Sequence, residues 1–254
     1  MNTFTVITLF PELVDAFGQV GIVRRALESG NAALRSINPR TFTPNGRGAV
    51  DDSPYGGGPG MVMMVTPLRE AIKAARQAGP ATVAYMTPQG RRIDQHLVAE
   101  LSVIKHLVLV AGRYEGIDER VIEHDVDLEL SLGDFVMSGG EVAALALIDA
   151  VVRLLPGSLG SELSAASDSF SNGLLEHAQY TRPECVDQQR VPRVLLSGNH
   201  VEIEHWRRKQ ALSRTWLKRP DLVKASPLSD SDRQLLSEIK AEIAVAAREQ
   251  HGED

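Results

Sequence analysis

The chain has 254 residues, of which 43% are hydrophobic and 24% charged, and this is enough to bury one large core or two smaller ones. Its single cysteine, Cys185, excludes an intrachain disulfide or a cysteine-based metal cluster, and its seven histidines show no metal-ligand spacing, so no metal site is predicted. No apolar run is long enough to span a bilayer, so we expect a cytoplasmic protein with no membrane partner, and the net charge of −6 argues against a surface that coats nucleic acid throughout.

Extended apolar runs alternate with helical patterns through the first two thirds of the chain. Strands are predicted at residues 4–9, 82–86 and 107–111. Helices are predicted near Glu12, at residues 67–78, at about 95–104, and as a long helix at about 141–155. This alternation is typical of a mostly parallel sheet that is covered by helices, so an α/β fold is expected.

The character of the sequence changes after the long helix. Pro156 and Gly157 are expected to end it, and the chain then becomes rich in Ser, Gly, Ala and acidic residues. We therefore predict a first domain at residues 1–158, an interdomain linker at 159–172 and a helical domain at 173–254. In the last of these, amphipathic helices are predicted at residues 201–212 and 229–247.

Residues 190–219 form a basic segment that contains eight Lys or Arg and only two acids, with Trp206 and Trp216 among the charges. This pattern fits a solvated helix face. It also fits a surface that contacts RNA phosphates, in which Arg207, Arg208 and Lys209 bind the backbone and the aromatic rings stack on bases.

Glycine marks four segments that lack helix or strand patterns. Residues 51–61 contain four glycines and two prolines but match neither a P-loop nor a dinucleotide-binding turn, so a structural loop is the simplest interpretation. Three further loops, at 87–90, 112–116 and 132–140, lie at the ends of predicted strands or before the long helix. Because ligands of open α/β sheets bind at the carboxyl edge of the strands, these three loops predict one ligand cleft.

The glycine loops belong to a longer series of motifs in which the chain resembles the bacterial tRNA (guanine-N1)-methyltransferases of the SPOUT superfamily. The matching stretches run in order along the chain at 50–52 with 54–61, 112–120, 133–134 with 138–141, 168–170 with 173–175, 180–183 and 195–200. Two positions depart from the family pattern: Ser53 replaces a usual arginine, and residues 45–48 lack the usual run of basic side chains. Both departures weaken an assignment of tRNA phosphate contacts to that loop.

The resemblance implies a parallel sheet with a C-terminal trefoil knot that binds the methyl donor S-adenosylmethionine. Such a knot is an exception to the rule that protein chains do not thread their own loops. By position in the family motifs, the donor-binding residues would be Tyr85, Met86, Thr87, Pro88, Gly90, Gly112, Tyr114, Glu115, Gly116, Leu132, Gly133, Asp134, Phe135, Val136, Met137, Ser138, Gly139 and Gly140.

The same resemblance implies a reaction at N1 of guanine 37, the base next to the tRNA anticodon. N1 carries a proton at neutral pH, so a general base is required, and a cation near O6 would stabilise the charge that develops there. The family places these roles at Asp168 and Arg153. Without the resemblance, Asp168 would be interpreted as a helix cap or solvated acid, and Arg153 as a partner of the helix dipole.

The family pattern also implies tRNA as partner and a homodimer in which each active site joins the donor cleft of one subunit to Asp168 of the other. Magnesium dependence is reported for the family, but no motif predicts a magnesium cage, and the ion could act through the tRNA. Two alternatives stay open at this point. They are a non-catalytic RNA-binding protein of the same fold and an enzyme that binds another adenine-containing ligand.

Overall fold

The computed structural model describes residues 1–43, 48–159 and 168–251. The chain divides into two compact units, Met1–Glu162 and Leu163–Asp254. Most of the predicted linker, residues 160–167, lies outside the described residues, as do residues 45–47 of the segment that lacks the usual run of basic side chains. The domain boundaries given above therefore stay a prediction, and each unit is described by itself.

The first unit is built on a parallel sheet of five strands in the order β2-β1-β6-β5-β7. A short antiparallel pair, β3 with β4, stands apart from it. The strands in chain order are β1 (Asn2–Ile7), β2 (Ala32–Ile37), β3 (Asp51–Asp52), β4 (Val62–Met63), β5 (Thr82–Arg92), β6 (His106–Ala111) and β7 (Leu128–Ser131).

Helices cover both faces of the sheet. They are α1 (Pro11–Gly18), α2 (Gly21–Glu28), α3 (Val65–Arg76), α4 (Gln95–Ser102), α5 (Glu119–Asp125) and α6 (Glu141–Leu154), with a 3-10 turn at Pro39–Phe42. In β6, Leu107 and Leu109 pack in the cluster that includes α2, α4 and α6, whereas Val108 packs in the cluster of α3 and α5. Because side chains alternate between the faces of a strand, β6 is buried on both sides, as a three-layer α/β fold requires.

The α/β class predicted from sequence is confirmed by this sheet and the helices that cover it. The trefoil knot stays a prediction. All predicted strands and helices are present, with ends shifted by a few residues. The sequence patterns missed β2, α5 and β7, which are short, and α2, whose apolar residues follow a helical period over only about two turns.

One predicted loop has a different conformation. Residues 87–90 are not a turn after the strand, because β5 continues through them to Arg92 with a shift of register between Met86 and Arg91. Pro88 cannot donate to a ladder, so the extended chain bulges there and resumes pairing with β7 two residues after Gln89.

The second unit is mainly helical. Its elements are a hairpin of β8 (Cys185–Val186) and β9 (Gln189–Arg190), a 3-10 turn at Arg193–Leu196, and the helices α7 (His200–Lys218), α8 (Pro220–Ala225) and α9 (Asp230–His251). The two amphipathic helices predicted here are α7 and α9, and both are longer than predicted. Leu212 of α7 and Leu235 and Ile239 of α9 form a small buried core with Leu174. Within the described part of the chain, no helix combines the length and the apolar character needed to cross a membrane.

Candidate active site

A cavity of about 380 Å³ lies beside the bulge of β5 and beyond the ends of β6 and β7. Its walls are the segments 85–89, 112–116 and 130–140, so the glycine-bearing segments singled out in the sequence meet at one place. All the residues that the family pattern assigns to donor binding line this cavity, except Gly90 and Asp134. Further lining residues that were not predicted are Gln89, Arg113, Ile117, Glu119, Ile122, Leu130, Ser131 and Ala143.

Gly90 and Asp134, the two exceptions, lie in different surroundings outside the cavity lining. A side chain at Gly90 would overlap the backbone of Glu129 and Leu130, so glycine there allows β5 to approach β7 closely. Asp134 projects into solvent, with its side chain 91% exposed and 3.7 Å from the guanidinium of Arg92.

The floor of the cavity is packed too closely for side chains at two glycines. A Cβ atom at Gly112 would lie 2.7 Å from Cε2 of Tyr85, and one at Gly140 would lie 2.9 Å from the Cα atom of Ala111. Burial raises the pKa of the Tyr85 phenol, so this ring stays neutral at physiological pH. Backbone atoms and the neutral Tyr85 ring are therefore closely packed at this part of the cavity wall.

A buried ion pair connects two walls of the cavity. Glu141 is 1% exposed and accepts hydrogen bonds from Arg113 Nε (2.9 Å) and Thr8 Oγ1 (2.9 Å). Arg113 also donates to the carbonyl of Ser138 (3.1 Å) and stacks on the ring of Phe10 at 4.4 Å. The guanidinium thus holds the 112–116 segment to the 133–140 segment. The sequence analysis missed this role, although both partners stand in motifs of the family.

The glycine-rich segment 51–61 borders the same walls. Glu115 N donates to the carbonyl of Met61 (3.0 Å), and a side chain at Gly60 would overlap that of Glu115. All four glycines of the segment have positive φ. The segment therefore needs glycine for its backbone shape, and Tyr55 at its tip is 99% exposed.

The two residues predicted for catalysis lie in different units. Arg153 is half-buried in the last turn of α6, where a positive charge also interacts favourably with the helix dipole. Asp168 is half-buried at the start of a tight turn in the second unit, and its carbonyl accepts from Ser171 N (3.2 Å). Their joint role in catalysis stays a prediction.

Much of the basic segment 190–219 is paired with acids. Arg207 binds Glu204 (2.6 Å), Arg208 makes two hydrogen bonds to Asp232, and Lys209 binds Glu242 (2.6 Å). Arg190 and Arg219 also have carboxylate partners. Of the basic residues in this segment, only three form no ion pair with another described residue, and these are Arg193, Arg214 and Lys218. The segment therefore presents less free positive charge than its composition predicts.

Across the part of the chain that the structure describes, no three His, Cys, Asp or Glu side chains are grouped so that they could hold a metal ion. The cavity instead offers glycine backbone, the Tyr85 ring and apolar side chains such as Leu132 and Met137. Such walls suit a nucleoside-like organic ligand better than a bare cation.

Comparison with known proteins identifies close relatives. Residues 2–225 match the family model described as tRNA (guanine-1)-methyltransferase TrmD. A protein of Klebsiella pneumoniae named tRNA (guanine-N(1)-)-methyltransferase is 52% identical over 251 residues, which are 98% of this chain and 97% of the relative. A protein of the same name from Halorhodospira halophila is 53% identical over 245 residues, covering 96% and 93% of the two chains. The crystal structure of tRNA (m1G37) methyltransferase from Aquifex aeolicus is similar with a TM-score of 0.72 and 41% identity, covering 88% of this chain and 95% of that one.

Proposed function

Because this chain belongs to the tRNA (guanine-1)-methyltransferase family, we propose that it transfers the methyl group of S-adenosylmethionine to N1 of guanine 37, next to the tRNA anticodon. The observation that carries the proposal is the match over nearly the whole length of catalytic relatives, combined with a cavity at the family's glycine loops. Neither alternative considered from the sequence gains support from these relatives.

The cavity fits the methyl donor in size and in chemistry. Its volume of about 380 Å³ lies in the range of small-molecule sites, which is about 300 to 1,000 Å³. Gly112, Gly116 and Gly140 line the cavity without side chains, so a purine and a ribose can approach the backbone closely there. The donor supplies an electrophilic methyl group on sulfur, so the protein needs mainly to align that methyl group and to exclude water.

The acceptor atom needs a base. In the proposed reaction the Asp168 carboxylate takes the N1 proton, the electron pair of N1 forms the bond to the methyl carbon, and the carbon–sulfur bond breaks to leave S-adenosylhomocysteine. Arg153 stabilises the negative charge that develops at O6 while N1 loses its proton.

The partners of the proposed enzyme are tRNA and a second copy of the chain. Arg193, Arg214 and Lys218 are the first candidates for phosphate contacts, because these cations have no carboxylate partner among the described residues. We further propose a cytoplasmic homodimer with shared active sites, and a magnesium ion, where required, that acts through the tRNA.

Mass mapping of the nucleosides of an unmodified tRNA after incubation with the protein and S-adenosylmethionine tests this function. We expect 1-methylguanosine at position 37. We expect Asp168→Asn, which keeps the shape of the side chain but is a much weaker base, to lower single-turnover rates by roughly 10². Binding of S-adenosylmethionine, measured by calorimetry, should stay within a few fold. Binding of ATP or NAD with no methyl transfer would contradict the proposal, and a normal rate for Asp168→Asn would remove its role as base.

A further inference from the structure

The predicted base Asp168 begins a compact turn in the second unit. Its carbonyl accepts from Ser171 N (3.2 Å), Phe170 N donates to the carbonyl of Leu174 (2.7 Å), and Gly173 N donates back to Phe170 (3.1 Å). Phe170 has a φ of +74°, which is unfavourable for an L residue with a large side chain. Such a conformation persists only where its surroundings over-determine it, and such positions cluster at functional sites.

Two hydroxyl groups of the helical unit hold the far end of this turn. Thr215 on α7 is fully buried, and its Oγ1 accepts from Leu175 N (2.9 Å) while it donates to the carbonyl of Ala211 (2.6 Å). Ser226, which follows α8, donates to the carbonyl of Gly173 (2.9 Å). Each hydroxyl therefore binds a backbone group of the segment that follows Asp168.

Apolar packing fixes the same segment. The Leu174 side chain is 1% exposed and belongs to the core that Leu212, Leu235 and Ile239 form. A side chain at Gly173 would come within 2.5 Å of Ser226 Oγ, so the turn and the end of α8 are in close contact. The end of the turn at Leu174 is thus anchored in the core of the helical unit.

We propose that the helical unit positions the general base, with Thr215 and Ser226 as positioning residues that act through the turn 168–175. The inference rests on the proposed role of Asp168. It assigns the unit a part in the chemical step in addition to tRNA binding, because a carboxylate that is displaced by about 1 Å from N1 loses on the order of a hundredfold in rate.

The test compares Thr215→Val, which removes the hydroxyl at nearly constant shape, with Thr215→Ser, which keeps it. Ser226→Ala removes the second anchor. Ser231→Ala is the control, because Ser231 Oγ is hydrogen-bonded to Ser229 Oγ (2.9 Å) in the same unit but outside the turn and outside the basic segment 190–219. Full-length protein is used throughout, and each variant is checked by thermal unfolding.

We expect single-turnover rates at saturating tRNA and S-adenosylmethionine to fall roughly tenfold for Thr215→Val and Ser226→Ala. Thr215→Ser and Ser231→Ala should stay within about threefold of the wild type, and the dissociation constants of both substrates should be unchanged. If Thr215→Val fails to fold, the rates of Ser226→Ala and Thr215→Ser are compared instead. Weaker tRNA binding with a normal saturating rate would overturn the inference, because the unit would then act in binding alone.

A double variant separates this inference from the proposed function. If Thr215 acts through Asp168, adding Thr215→Val to Asp168→Asn should slow the reaction by less than about twofold more. Two losses that multiply in full would show that Thr215 acts independently, and would overturn the inference. The inference would also be overturned if the single-turnover rate fell for Asp168→Asn but stayed normal for Thr215→Val and Ser226→Ala. That result would leave the proposed function intact. A normal rate for Asp168→Asn would instead show that Asp168 is not the general base.

Discussion

At the scale of single residues, the pair Arg113 and Glu141 connects two walls of the cavity. Glu141 is almost fully buried, and its two oxygens are bound by Thr8 and by Arg113. A buried charge that loses its partner is costly, so the guanidinium has one strongly preferred position. That position also fixes the Ser138 carbonyl at the cavity wall.

We expect Glu141→Gln to weaken S-adenosylmethionine binding roughly tenfold, or ~1.4 kcal/mol, and to lower the thermal midpoint of unfolding. The reason is that Arg113 loses its charge partner and the two walls of the cavity are held less firmly. Calorimetry with the donor measures the first effect. Glu100→Gln serves as control because it removes a carboxylate from an exposed pair with Arg91, away from the cavity. Equal affinities for the two variants would show that the buried pair does not organise the cavity.

At the scale of secondary-structure elements, α7 and α9 are joined by the pair Arg208 and Asp232. Asp232 is 6% exposed and accepts two hydrogen bonds from the guanidinium, at 2.7 and 2.8 Å. Ser229, just before α9, donates its hydroxyl to the same carboxylate (2.8 Å) and accepts from Asp232 N (3.1 Å), so the pair also caps the helix. The hydrogen bonds from Arg208 and then Ser229 hold the pKa of Asp232 far below its usual range.

This shift predicts an acid-sensitive helical unit. Because the pKa of Asp232 is lower in the folded state, its stabilising contribution is present above the unfolded value near 4 and is lost as pH falls below it. Trp206 and Trp216, the only tryptophans, both lie in α7, so urea unfolding followed by tryptophan fluorescence reports on this unit. We expect Asp232→Asn to be less stable at pH 7 and to lose less stability between pH 5 and pH 3.

The control for this experiment is Asp230→Asn, because the side chain of Asp230 is 99% exposed and pairs only within its own helix, with Arg233. It should unfold like the wild type at each pH. The same acid dependence in Asp232→Asn and in the wild type would assign the effect to other carboxylates.

At the scale of the whole molecule, the proposed shared active site predicts rescue between subunits. Asp168→Ala removes the base, and Ser138→Trp fills the donor cavity from its exposed rim. Gly140 is a poor place for such a block, because any side chain there would meet the backbone of Ala111 and disturb the fold. Each variant alone should be nearly inactive.

In a mixed dimer of these two variants, one site combines an intact cavity with an intact Asp168, and the other site carries both defects. Co-expression should therefore restore up to about half the activity of a wild-type dimer per mixed dimer, as expected for independent sites. The rate of methyl transfer by the purified mixed dimer is the measurement. If each site were built within a single chain, every site would keep one lesion and the mixed dimer would stay inactive.

The sequence by itself determined the α/β class, the longer elements and the segments that form the cavity. Periodicity is a local property, so the patterns at 67–78 and 107–111 were sufficient to predict α3 and β6. The family motifs, which reflect shared ancestry, located 16 of the 24 residues that line the cavity. Short elements such as β7 were missed because a few residues carry too little pattern.

Only the tertiary structure decided which charges and hydroxyls have partners. The pair of Arg113 and Glu141 is separated by 28 positions, and that of Arg208 and Asp232 by 24, so no local pattern could predict either. The apparent excess of positive charge at 190–219 was misleading for the same reason, since acids outside the segment neutralise part of it. Composition counts charges along the chain, whereas hydrogen bonds and ion pairs depend on distance in space, which only the folded chain defines.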